Sequence, residues 1–160
     1  MTQVKSAIKD NNARHAPTPL IPREIVRRLL QNAYSDMLER WPFLCSLDEL
    51  LTLLDTQYDT SGTSFVAIAG SALIQVVVAL AIRQKMAAGA ESHISGISHA
   101  YYRNACLLMG DLVLVAPSQH TVQALKAMAA FAGGTPDRHA EAMLLMNAEY
   151  IEKLTQGECP

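Results

Sequence analysis

The chain has 160 residues, half of them apolar and 18% charged, with a formal net charge of −2 at pH 7. That composition excludes an intrinsically disordered chain and suffices for one folded domain with a sizeable core. So small a charge creates no field that would draw nucleic acid or an anionic membrane to it.

Three cysteines, Cys45, Cys106 and Cys159, lie far apart, and no CxxC pair occurs. Neither a disulfide framework nor a structural zinc site is encoded, so Cys45 and Cys106 read as small buried hydrophobes in a reducing compartment. The first twenty residues contain no apolar run of the secretory type, and an intracellular location is expected.

Residues 1–21 are polar and end in APTPLIP, an extended lead-in whose prolines suit no regular element. Pro22 then occupies a favoured first helical position, and Glu24 complements the helix dipole. From Arg23 to Trp41 the helical period is clean, with Ile25, Val26, Leu29, Leu30, Ala33, Tyr34, Met37, Leu38 and Trp41 on one face. Arg27, Arg28, Gln31, Ser35, Asp36 and Arg40 occupy the other, and the Arg23, Arg27 and Arg28 cluster reads as a solvated face. Pro42 stops the helix, and Trp41-Pro42-Phe43-Leu44 forms a bulky corner expected to tuck into the core.

Ser46 and Glu49 have capping-box spacing, opening a second helix that runs to about Tyr58. DTSGTS at 59–64 is a loop by composition. Phe65 to Ile82, FVAIAGSALIQVVVALAI, is the stretch the rest must be built around. Its eighteen residues are nearly as apolar as a membrane span but rise only about 27 Å, a little short of a bilayer core. Gly70, Ser71 and Gln75 interrupt it, and the flanks supply amphipathic helices. A helix apolar on all sides must be buried, and here the expected cover is protein: a central core helix over about 64–88, with Arg83 and Lys85 near its end.

GAESHISG at 89–96 reads as a polar connector and Ser98 to Val115 as a fourth helix, with Tyr101, Ala105, Leu108, Leu112 and Val115 on one face. Gly110 and the LVLV run weaken its end. Ser118 caps a fifth helix over Gln119 to Ala132, with Val122, Leu125, Met128 and Ala132 inward, and Gly133-Gly134 ends it. Thr135-Pro136-Asp137 opens a sixth, with Met143, Leu144, Asn147, Tyr150, Ile151 and Leu154 on one side. Residues 157–160 form a tail. The expected fold is all-α, a single-domain bundle of about six helices spanning 22–156, with no repeat and no alternating strand pattern.

Little in the pattern carries chemistry. His93 and His99 are six residues apart and His120 and His139 stand alone, so no helix-spaced metal pair exists. No nucleophile-elbow or cysteine-protease signature places a Ser or Cys beside a base, and Gly133-Gly134 is a helix stop rather than a phosphate loop. No cofactor or metal is expected. Asp48 with Glu49 and Glu149 with Glu152 read as polar-face carboxylates. Seven methionines, Met128, Met143 and Met146 among them, read as core filling rather than as a binding face.

The segment APTPLIPREIVRRLLQNAYSDMLERWPFLCSLDELLTLL resembles the opening of the fungal-specific transcription factor domain, in which a helix leads through a Pro-Phe corner to a short helix. The apolar central segment is similar to that family's Ala- and Leu-rich core. AYYRNACLLMGDLVLVAPSQHTVQALKAMAAFAGG (100–134) matches most closely, through Ser118, Val122, Gln123, Ala124 and Leu125. The resemblance covers about residues 17–155. It implies the all-helical middle homology region of fungal zinc-cluster regulators, a nuclear regulatory domain that senses effectors or contacts partners. The six-cysteine DNA-binding cluster is missing from this sequence, so no direct nucleic-acid contact and no membrane contact are expected. MLLMNAEYIEKL stands where the family carries a different segment before continuing, so a truncated relative with exposed apolar surface is expected, implying self-association or a protein partner. Two other readings remain: an apolar effector pocket lined by 65–82, and a small helical enzyme using His99, Tyr101, Tyr102 and Arg103.

Overall fold

A computed structural model describes residues 21–59, 65–86, 91–114 and 116–157, with the backbone alone at 65–67 and 91–94. Among the described residues the structure is all-α. Its helices are α1 (Arg23–Arg40), α2 (Leu47–Asp59), α3 (Phe65–Gln84), α4 (Glu91–Leu107), the single turn α5 (Met109–Leu112), α6 (Gln119–Gly133) and α7 (Arg138–Thr155). The bulk of the expected lead-in at 1–21, the loop at 60–64 and the tail from 158 on lie outside the described residues.

The apolar run forms the axis of the bundle. α3 packs against α1, α2, α4, α5 and α6, and every residue from Ala72 to Ile82 is buried. Among the described residues no helix is long and apolar enough to cross a membrane, and the faces of α3 are covered by protein. Each polar break in the run serves a neighbour. Gly70 lets α2 approach, since a Cβ there would lie 2.7 Å from the Leu53 Cδ2. The Ser71 hydroxyl donates to Gln57 Oε1 on α2 at 3.1 Å, and Gln75 Oε1 accepts from Asn104 on α4 at 3.4 Å. Burial without partners would cost more than these residues could return.

α3 is shorter than the expected 64–88. Lys85 still bonds back to the Ala81 carbonyl, but Met86 turns to Arg83, and Gly89 lies outside the described residues. The stretch 89–96, expected as a connector, is largely helix, because α4 begins at Glu91. Its Ser and Gly residues have weak helix propensity, but packing on α3 overrides that preference. The buried Ser98 hydroxyl bonds the Ala79 carbonyl at 2.9 Å, seating this first part of α4 on α3. At the other end the expected single helix to Val115 breaks at Leu108, whose N–H takes a tighter turn to Ala105 before the α5 turn. Val113 and Leu114 are left exposed.

α6 is a second interior helix. Val122, Leu125, Met128 and Ala132 are buried as expected, and so are Thr121, Gln123, Ala124, Ala127, Ala129 and Phe131. Its caps follow the sequence: Ser118 Oγ accepts from the Thr121 N–H at 3.1 Å. Beyond Gly134, Asp137 caps α7 through the Ala140 N–H at 3.0 Å. Arg83 from the last turn of α3 donates to the Phe131 carbonyl at 2.8 Å, joining the Gly134 N–H on that carbonyl in the last turn of α6. Its guanidinium lies 3.7 Å above the Phe131 ring, and Tyr102 stacks on the ring at 4.3 Å. Desolvation, and then the nearby Arg40 charge, lower the Arg83 pKa.

Two expected faces are corrected. On α1, Val26, Leu30, Ala33 and Met37 are buried, but Ile25 is 57% exposed and Leu38 is at the surface. The inward stripe is narrower because α1 is covered by only α2 and α3. The arginines of its opposite side are not simply solvated: Arg23 and Arg27 both reach the Asp55 carboxylate on α2, Arg23 at 2.7 Å. On α7, Leu144, Ala148 and Ile151 face inward, while Met143 and Tyr150 are exposed.

Leu30, 1% exposed, places any charge against apolar neighbours. Leu30→Asp is expected to lose about 3–5 kcal/mol and Ile25→Asp less than about 0.5 kcal/mol, read by urea unfolding. Equal losses would mean that the inward face of α1 is wrong. The paired arginines hold the Asp55 carboxyl below the usual carboxylate range, Arg27 contributing most. A depressed folded pKa gives stability that is present above the unfolded value of about 4 and lost as pH falls below it. Asp55→Asn should therefore flatten the acid limb of a stability-against-pH curve, and high salt should do the same to the parent. An unchanged limb in Asp55→Asn would remove the clasp from the account.

Candidate functional site

The residues singled out as a possible catalytic group are spread over two sides of α4. His99, Tyr101, Tyr102 and Arg103 lie in the middle of α4 rather than at its start; His99 and Tyr102 share Phe131, Tyr101 turns to Ile21, and Arg103 is exposed. Tyr101 is buried, and its hydroxyl accepts from the Ile21 N–H at 2.7 Å, while Tyr58 donates to the Ile21 carbonyl. The lead-in backbone is thus clasped between α2 and α4. Burial raises both phenols, Tyr58 to about 12. Tyr102 stacks on Phe131, burial raising its phenol too. His99 meets the edge of the Phe131 ring at 5.3 Å and bonds back to the Ser95 carbonyl at 2.8 Å. Arg103 is exposed.

The cavity against the central helix is also small. Tyr58, Gln75, Val78 and Tyr101 help line a space of about 10 Å³, about the size of one water and far below the size of an apolar ligand. Among the described residues no group of three or more His, Cys, Asp or Glu could hold a metal ion.

One group of chemically capable side chains escaped the sequence because its members come from the corner, α2 and α6. Cys45 is buried, with the Glu49 carboxylate near its thiol. Glu49 Oε1 accepts from His120 Nε2 at 2.8 Å. The capping box is accordingly half made: Ser46 Oγ takes the Glu49 N–H at 3.3 Å, and the carboxylate bonds His120 instead. A nucleophilic thiol needs the imidazole beside the sulfur to take its proton. Here the imidazole is bonded to the carboxylate. Burial and then the Glu49 charge push the Cys45 thiol up to about 11, so it stays protonated and inert at neutral pH.

The solvent-open feature with the most varied chemistry lies at the α6–α7 edge. α7 packs on α6 as its one substantial neighbour. The crevice between them, with Phe43 from the corner in its wall, has a volume of about 400 Å³. Ala129, Ala130 and Leu145 give it an apolar floor, and Glu141, Glu149 and Glu152 stand along it against the single cation Lys126. Lys126 Nζ lies 2.9 Å from both Glu152 oxygens. Glu141 takes only the exposed Arg138, one turn earlier on its own helix, at 3.3 Å. Glu149 is exposed and has no ion-pair partner among the described residues.

Gln123, buried on α6, donates to the Phe43 carbonyl at 3.1 Å and so fixes the corner beside the crevice; its Oε1 is buried and accepts no hydrogen bond among the described residues. On the opposite flank of α7, Met143, Met146 and Tyr150 are exposed, Met146 by 64%. Core filling, expected for the methionines, holds for Met37 and Met128 but not for this pair. Glu149 and Glu152 were legible as polar-face carboxylates. Their alignment with Lys126 needed the α6–α7 packing.

No family model, no curated protein and no solved structure matches this chain. The positions that carry the resemblance to fungal regulators are structural ones here: Ser118 is the α6 cap, and Val122, Gln123, Ala124 and Leu125 are buried.

Thiol chemistry gives a direct check of the Cys45 environment. In the folded protein, Cys45 should resist a thiol-specific reagent at pH 7, with labelling rising steeply only toward pH 11, as peptide mapping would report. Rapid Cys45 labelling of folded protein at pH 7 would contradict the protected, protonated thiol.

Proposed function

We propose that this chain is a regulatory interaction domain of the kind found in fungal zinc-cluster regulators, working in the nucleus through contact with another protein and without catalysis or DNA contact of its own. The observation that carries this reading is the α6–α7 edge, where a helix held by one neighbour opens an apolar-floored crevice with a charged rim to solvent. Protein partners favour such surfaces, because apolar contact provides affinity while the rim charges set orientation and speed of encounter. The protected Cys45 thiol and the commitment of His99 and Tyr102 to the Phe131 ring and of Tyr101 to the Ile21 backbone support a non-catalytic role. The order of the helices and the Val122-Gln123-Ala124-Leu125 segment support the regulatory class through the resemblance.

The chain fused to an unrelated DNA-binding module should change expression of a reporter in a fungal cell relative to the module alone. Leu30→Asp, expected to destabilise the fold, should abolish the change. Reporter output equal to that of the bare module, from a fusion that is expressed and folded, would sink the regulatory reading.

A further inference from the structure

We propose that the α6–α7 crevice binds a basic helical segment of a partner protein, one that presents two Lys or Arg residues two turns apart with an apolar residue between them. This deepens, and rests on, the reading of the chain as an interaction domain. Glu141, Leu145 and Glu149 follow one another at four-residue steps along the crevice wall of α7. The helical rise puts each carboxylate about 6 Å from Leu145 and the two about 12 Å apart along the axis. A helix lying alongside α7 repeats that spacing with cations about eight residues apart and an apolar side chain halfway. The free flank of α7 leaves room for such a neighbour at the usual interaxial distance of about 8–10 Å.

The chemistry selects the sign of the occupant. Three carboxylates face one ammonium, and that ammonium is already committed to Glu152. Among the described residues Glu149 has no ion-pair partner, and the Arg138 contact of Glu141 is an exposed pair of the kind that exchanges at little cost. Ala129 and Ala130 end at their Cβ atoms, so the occupant's apolar side chain can lie close against α6 beside Leu145 and Phe43. The same carboxylates repel a nucleic-acid backbone or an anionic lipid surface.

The test is a fluorescence-anisotropy titration of the full chain with a labelled alanine-based helical peptide carrying two arginines two turns apart and a leucine between them. Saturable binding that weakens with added salt is expected. Glu149→Lys should weaken it about tenfold or more, as for a charge reversed at an interface rim, and so should glutamates in place of the peptide's arginines. Leu145→Ser should weaken binding as well, whereas Met146→Ser on the other flank should leave it unchanged; circular dichroism confirms that each variant is folded. Absent saturation at millimolar peptide, equal affinity for Glu149→Lys and the parent, or equal affinity for the glutamate peptide would each overturn the proposal. If the peptide fails to bind while the reporter still responds, the crevice assignment falls and the regulatory reading stands. Selective peptide binding with a silent reporter supports the site and removes the regulatory role.

Discussion

A helix with apolar side chains on every face has no side it can leave in water, and the whole arrangement follows from burying α3. Five other helices surround it, and the polar side chains inside its apolar run are met by neighbours: Ser71 by Gln57 and Gln75 by Asn104. The hydrophobic contribution scales with area removed from water, and α3 concentrates that area on one axis. The polar pairs add little net energy but fix which side of α3 each neighbour occupies, since an unmade bond in the interior would be costly. Arg83 extends the same logic to the end of the helix, where it bonds a terminal carbonyl of α6 and lies on the Phe131 ring.

Enclosing α3 uses up the apolar faces of α1, α2, α4 and α6, and α7 is left with only α6 to pack on. One stripe of α7 is therefore buried through Leu144, Ala148 and Ile151, and both flanks remain free. One flank carries the acidic crevice, the other the exposed Met143, Met146 and Tyr150. Apolar area at the edge of a bundle, on a helix with a single neighbour, is the usual place for a protein to meet another. Inside the bundle, by contrast, the cavity beside Tyr58 and Tyr101 offers only about 10 Å³.

The Cys45–Glu49–His120 group shows why an inventory of reactive residues is a poor guide to activity. A thiol, a carboxylate and an imidazole lie in one neighbourhood, but the imidazole is bonded to the carboxylate, and burial keeps the sulfur protonated. The same contacts tie the beginnings of α2 and α6 together through Glu49 and His120, and Gln123 holds the Phe43 corner against α6. Stability of the corner and shape of the crevice wall are thus one packing problem.

The sequence by itself determined the features that depend on neighbours along the chain: the all-α class, the central helix, the α1 boundaries set by Pro22 and Pro42, and the caps at Ser46 and Ser118. These are local because a cap or a proline acts within one turn and a helical period repeats every few residues. Tertiary structure decided what local pattern could not. Packing on α3 carried the Ser- and Gly-rich start of α4 into helix, and contact on most sides turned the Ala-rich α6 into a second interior helix. Ile25, Met143 and Tyr150 fit the helical period as well as their buried neighbours do, yet face solvent, because which third of a helix is covered depends on how many helices surround it. Lys126 and Glu152 lie 26 positions apart in sequence, and Glu49 and His120 lie 71 apart. No period links such pairs. Only the approach of one helix to another brings their charges within reach.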